Sequence, residues 1–307
     1  MNKTIGIKVD VDTYAGMKKG VPVLLSLFKK YNIHASFFVP MGKDHTGWTI
    51  KRVFKRKGFL KNTGRVGVIS TYGIKTLLYG LLLPGPEIAN KNAYLLRRII
   101  DEGHELGIHG HDHVYWHDHI KYFDQEETYK ELKKAFHTYR ELLKKDPQSF
   151  AAPGWMINKH ALRFFEDNNF SYTSNVRGIS PFFPKMDGES FSILEIPTTL
   201  PTLDETIGIA GTEIISLSNF YLNNLLDGLN ILTIHTQLEG NKWSGFLEIF
   251  IKKTLDLGFT YNRIIDIATE LKKDESTPSC KIIYGQIEGR TGEVCLQTSP
   301  ETDRKIT

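Results

Sequence analysis

A chain of 307 residues, 40% of them hydrophobic, can bury a large core, either as one big α/β domain or as two ordinary ones. Its only cysteines, Cys280 and Cys295, do not make a disulfide framework, and a reducing cytoplasm is expected. The net charge of +4 hides a concentration: Thr46 to Pro86 carries eight Lys and Arg and no acid, so the segment holds +8 and the remainder −4.

The first stretch, "MNKTIGIKVDVD", reads as a strand and not as a signal peptide, since Asp10 interrupts any apolar core; export is not expected. After "TIGIKV" come a helical pattern "VPVLLSLFKKY" and a strand "ASFFV", and later "NAYLLRRIIDEG" leads into "HELGIH". In "YKELKKAFHTYRELLKK" the residues Tyr129, Leu132, Phe136, Tyr139 and Leu143 share one helical face, followed by the short run "SFAA". Further strands are predicted at Ser192 to Ile196 and Ile231 to His235, with helices near Trp243 to Leu257 and Asn262 to Lys272. Alternating strands and helices predict an α/β fold with a mainly parallel sheet or barrel. We read residues 1–273 as one barrel domain with an insertion at about 43–90, and 274–307 as a tail, partly ordered or disordered.

The insertion mixes Lys51, Arg52, Lys55, Arg56 and Lys57 with Trp48 and other aromatics, and closes on "LLYGLLLPGP". Its uncharged run is too short to cross a hydrocarbon layer, which needs about 20 apolar residues. Three readings fit this composition: helices lying on an anionic membrane surface, a solvated basic face, or a nucleic-acid patch.

Polar groups stand at three strand ends, in "KVDVDT", "LGIHGHDH" and "LTIHTQ". In a parallel barrel such ends converge on one face, where active sites are built. His109 and His113, spaced i, i+4, present two imidazoles side by side if the chain turns helical there; Asp12 is the third candidate ligand for one divalent ion, Zn, Co or Mn. His111 would point away from them. His104, His117 and His119 are read as solvated surface histidines. Asp10 is the candidate base and His235 the candidate acid that protonates a leaving amine, which together describe hydrolysis of an amide or ester.

"VDVD", "HGHDH" and "LTIH" resemble the signature motifs of the polysaccharide deacetylase (NodB-homology) family, metal-dependent deacylases on a distorted (β/α) barrel. The resemblance implies Asp10 as base, Asp12, His109 and His113 as metal ligands, and His235 as general acid. "GVPVLL", "PGPEIANKNA", "AAPGWMIN", "YTSNVRG", "IPTTLPTLDETIG", "TIHTQLEG" and "GQIEGRTGEVCLQ" resemble more closely the branch that deformylates 4-formamido-arabinose on undecaprenyl phosphate. That likeness implies a lipid-linked sugar substrate, lipid A modification and polymyxin resistance. It also implies a peripheral place on the cytoplasmic face of the inner membrane, without a transmembrane helix, nucleic acid or obligate protein partner. The basic insertion then reads as the membrane dock.

One departure stands out: Ala151 occupies the place where the family carries an arginine that holds the catalytic aspartate. Arg177 is our candidate replacement, and the main-chain N–H of Trp155 the implied oxyanion donor. Asp204 and Glu239 are candidates for sugar contact or for loop caps. Two other readings compete: an N-deacetylase acting on another acylated aminosugar or glycan, and an inert metal- or lipid-binding scaffold.

Overall fold

Strand β1 (Thr4–Asp10) is buried at every residue, as its near-continuous apolar run requires of a parallel strand covered on both faces. The computed structural model describes residues 3–50, 73–272 and 276–300. Helix α1 (Val21–Tyr31) buries Leu24, Leu25 and Phe28 and ends at Asn32 in the left-handed conformation. Burying Phe28 alone contributes about 2–3 kcal/mol. β2 (Ser36–Val39) follows, then α2 (Ile74–Leu78) and α3 (Ala93–Asp101), which lays Leu95, Leu96 and Ile99 on the core.

β3 (Glu105–Ile108) leads into α4 (His113–His119), and α5 (Gln125–Leu143) starts with a capping box between Asp124 and Glu127. Then come β4 (Ser149–Phe150), α6 (Lys159–Asp167), β5 (Tyr172–Thr173), β6 (Phe183–Met186) and β7 (Glu189–Ser190). The chain continues with α7 (Leu203–Thr206), α8 (Ile214–Asn223), β8 (Leu229–His235), α9 (Ser244–Asp256), β9 (Thr260–Tyr261) and α10 (Ile264–Leu271). β10 (Ser279–Gly285) and β11 (Val294–Gln297) come last.

The main sheet runs β5-β4-β3-β2-β1-β8, with β9 also on β1, and every pairing in it is parallel. It is curled, and the stretch from 194 to 200 stitches its two edges. Thr173 N donates to Leu194 O and Ile196 N to Thr173 O on the β5 side, while Thr199 N donates to Ile231 O on the β8 side. The strand predicted at Ser192–Ile196 is therefore this irregular closing segment and no named strand, because its partners change along its length. β10 runs beside β6 in a second, four-stranded sheet, so the tail folds back onto the body.

Two histidines read as surface residues are core. His104 is buried among Phe28, Phe37 and His34, and its Nδ1 accepts the Ala35 N–H at 3.0 Å. Burial pulls its pKa down to about 4, so it sits there neutral. His117 is buried beneath Gly154, where an added Cβ would come within 2.7 Å of the imidazole. His119 is exposed, as expected.

Candidate metal centre and active site

The register of the sheet assembles the site. Asp10 ends β1 directly beside His235, which ends β8, and β3 ends one residue before His109. His109 and His113 do not share a helix, contrary to the spacing argument. Gly110 turns the chain with φ +77°, Asp112 caps α4 by accepting the Tyr115 N–H, and His113 is the first residue of that helix. The two rings still meet, 5.1 Å apart between centroids.

Asp12 Oδ1 lies 3.4 Å from His109 Nε2 and 3.3 Å from His113 Nε2, and one donor atom from each of the three residues falls within 4.8 Å of the others. The donors around them decide which atoms face inward. His109 Nδ1 is 2.8 Å from the Ala151 carbonyl, which fixes Nδ1 as the protonated nitrogen and turns the lone pair of Nε2 to the centre. Asp12 Oδ2 accepts from Gln237 Nε2 at 2.7 Å, while Oδ1 is buried without a hydrogen-bond partner. A buried acceptor left open beside two imidazole lone pairs fits a divalent cation, and a mixed nitrogen and oxygen donor set suits Zn, Co or Mn. Burial pushes the Asp12 carboxyl up, but His113, His109 and His235 outweigh it and hold it well below the usual carboxylate range.

Asp10 is almost fully buried, with Oδ1 unpartnered and Oδ2 facing Lys8 Nζ at 3.6 Å. Lys8 is two residues earlier on β1, hence on the same face, and entirely buried. Its ammonium donates to Ser174 O at 3.0 Å, and burial lowers its pKa against the pull of Asp10 and Glu195. The cation at Asp10 is therefore Lys8 and not Arg177. Arg177 Nη1 bonds both oxygens of Glu205 at 2.8 Å and Nη2 donates to Leu200 O, so its donors are committed to that buried carboxylate and a carbonyl. Lys8 escaped the sequence reading because an isolated lysine defaults to the surface; its signal is one charge inside an otherwise apolar run, in phase with Asp10.

His235 has Asp204 Oδ1 at 3.7 Å from its Nδ1. Burial disfavours its protonated form, yet Asp12, Asp204 and Asp10 together raise its pKa above the ordinary histidine value. Glu239 is buried, and its Oε2 accepts the His235 N–H at 2.9 Å. That bond caps the loop after β8, one of the two roles expected of Glu239. Trp155 follows Gly154 in left-handed backbone, φ +55° after +63°, and its N–H donates to Ala152 O at 3.1 Å, so that donor is already engaged. His111 lies against Gly42, away from the cluster.

Of the basic insertion, Lys51, Arg52, Lys55, Arg56 and Lys57 lie outside the described residues. Trp48 is half-buried: it stacks on His45 with centroids 4.1 Å apart and donates its indole N–H to Gly80 O. The exposed apolar side chains nearby are Ile74, Leu81, Leu82 and Leu83, with Leu82 79% exposed.

Residues 2–173 match the family described as polysaccharide deacetylase. The chain belongs to the polysaccharide deacetylase family. It is 33% identical over 302 residues, 96% of this chain and 95% of the relative, to "Probable 4-deoxy-4-formamido-L-arabinose-phosphoundecaprenol deformylase ArnD" of Shewanella sediminis (strain HAW-EB3). A protein of the same name from Wigglesworthia glossinidia brevipalpis is 33% identical over 287 residues, 92% of this chain and 98% of its own. Among solved structures, a probable polysaccharide deacetylase from Pseudomonas aeruginosa PAO1 matches with a TM-score of 0.60 at 16% identity. It covers 89% of this chain and 92% of that one, and shows the same fold. As a member of this family with deformylase relatives along nearly its whole length, the chain is an amide hydrolase.

Proposed function

We propose that this polysaccharide deacetylase family member is a metal-dependent deformylase. In this reading it removes the formyl group from 4-deoxy-4-formamido-L-arabinose carried on undecaprenyl phosphate, as the names of its relatives say of them. The observation that carries the chemistry is the convergence of an open carboxylate oxygen and two aimed imidazoles with a base and an acid at neighbouring strand ends.

Asp12, His109 and His113 would hold one divalent ion, which supplies Lewis-acid polarisation of the formyl carbonyl and acidifies a water. Asp10, unpartnered at Oδ1, accepts the proton of the attacking water. Lys8, facing that carboxylate at 3.6 Å, fixes its direction. His235, whose protonated form the surrounding carboxylates favour against burial, gives its proton to the departing sugar amine, and Glu239 fixes the backbone from which it projects. The products are formate and the free aminosugar on its lipid.

The same reading places the protein against the cytoplasmic leaflet in lipid A modification and polymyxin resistance. No helix among the described residues is long and apolar enough to cross a membrane. The exposed Ile74 and Leu81 to Leu83, next in sequence to the basic run, support a peripheral contact with anionic lipid. The test is product analysis on two substrates: formate from formamido-arabinosyl undecaprenyl phosphate, and acetate from N-acetylglucosamine oligomers. Formate release at least about 100-fold the faster in kcat/KM supports the reading, while acetate without formate would replace it by a glycan deacetylase.

A further inference from the structure

Three cations surround one indole. The Trp155 ring is 2% exposed and has Lys8 Nζ at 5.2 Å, the Arg177 guanidinium at 5.1 Å and the Arg290 guanidinium at 4.6 Å from its centre. The His235 ring meets the same indole in a T-shaped contact, 6.3 Å between centroids. Lys8 is used by Asp10 and Ser174, and Arg177 by Glu205 and Leu200. Arg290 is different. Its side chain is only 16% exposed, its nearest carboxylate oxygen is Glu205 Oε1 at 3.6 Å, already bonded by Arg177, and its guanidinium makes no hydrogen bond among the described residues.

A guanidinium has five donors and does not lose its proton. One that is this enclosed, with none of those donors used, is poised for an acceptor from outside. Two guanidinium ions against the single Glu205 carboxylate also leave excess positive charge beside the acid end of the site.

The tail is built to deliver it. β11 is fastened to the Arg177 segment, with Arg177 N donating to Cys295 O and Gln297 N to Arg177 O, both at 2.9 Å. Between β10 and β11 the chain presses onto Glu205: at Gly289, φ +82°, a Cβ would lie 2.3 Å from the Glu205 carbonyl oxygen. Only glycine fits that approach, and the next residue is Arg290.

We propose that Arg290, backed by Arg177, forms a phosphate subsite that receives the phosphodiester joining the aminosugar to its lipid, an inference that rests on the deformylase reading. In a pyranose with its amide at carbon 4 and its phosphate at carbon 1, the two groups stand at opposite ends of the ring. His235 and Arg290 both contact the Trp155 indole, so an amide held at His235 leaves the far end of the ring to be met by Arg290. The planar guanidinium fork matches two phosphate oxygens, and Arg177 keeps Glu205 from competing for it.

The test compares metal-loaded wild type with Arg290→Gln on two substrates bearing the same sugar: the undecaprenyl phosphodiester and the uncharged methyl glycoside of 4-formamido-arabinose. The preference for the phosphodiester, as the ratio of kcat/KM values, should fall by about 10- to 100-fold, mostly through KM. Arg290→Lys should recover part of it. An unchanged ratio, whether both substrates or neither are affected, overturns the subsite. Farnesyl phosphate, which lacks the sugar, separates the two readings. If the wild type releases no formate but Arg290→Gln still weakens farnesyl phosphate binding about 10-fold, the subsite stands and the deformylase reading fails. Equal farnesyl phosphate binding by both proteins overturns the subsite, as does an effect on inorganic phosphate alone.

Discussion

Glu105, at the amino-terminal end of β3, and Asp12, just past the carboxyl-terminal end of β1, are both buried or half-buried carboxylates, and their surroundings are opposite in kind. Both Glu105 oxygens are filled: it accepts from Ser36 Oγ, Ser149 Oγ, Tyr172 OH and the Ile265 N–H at the start of α10. Asp12 and Asp10 each keep one buried oxygen without a donor. The first arrangement ties helix to sheet and leaves nothing for a ligand. The second retains an unsatisfied acceptor, a cost that folding alone would remove, and so fits the proposed handling of a cation and a water.

The sharpest way to break this contrast is Asp12→Asn. It keeps the shape and removes the anionic ligand, so formate release should fall on the order of 10³-fold and the protein should lose its metal after desalting, without a matching loss of thermal stability. Glu105→Ala should do the reverse. Three hydroxyls and one N–H lose their acceptor, unfolding free energy in urea drops by about 3 kcal/mol, and formate release per folded molecule stays as it was.

The cluster of Asp12, His109 and His113 was legible from residues alone, because aspartate and histidine at the ends of apolar runs have no structural reason to be there. Lys8 and Arg290 were not. A buried lysine looks like any strand lysine until its neighbours are known, and Arg290 reaches Trp155 only through a tail whose strands pair with segments far back in the chain, around Phe183 and Arg177. The fold class was readable from the alternation of runs, whereas the closing segment from 194 to 200 was not, since its bonds alternate between two edges and leave no period-two pattern. His104 and His117 misled because polar sequence neighbours conceal a buried ring.

Two further substitutions sharpen the comparison with smaller effects. Lys8→Met, nearly isosteric, should lower kcat by about 10²-fold with KM little changed, since it disorders the base and leaves the metal ligands in place. Glu239→Gln probes a carboxyl that burial, against the pull of His235, pushes up to about 7 from an ordinary 4.5. The folded protein then binds a proton that the unfolded chain releases, so this group's contribution is full below pH 4.5 and is lost as the pH rises towards 7. The Tm of Glu239→Gln relative to wild type should therefore climb by about 3 °C between pH 5 and pH 7.5, read from thermal melts. A constant difference would mean that Glu239 is ionised throughout.

The most direct measurement is formate release from formamido-arabinosyl undecaprenyl phosphate as a function of bound metal, with chelated protein titrated by Zn, Co or Mn and compared with His113→Ala. Activity that rises linearly to a break at one ion per chain, and neither binding nor activity in the variant, is the expected result. Full formate release by the chelated protein, or by His113→Ala, would contradict a metal centre at Asp12, His109 and His113.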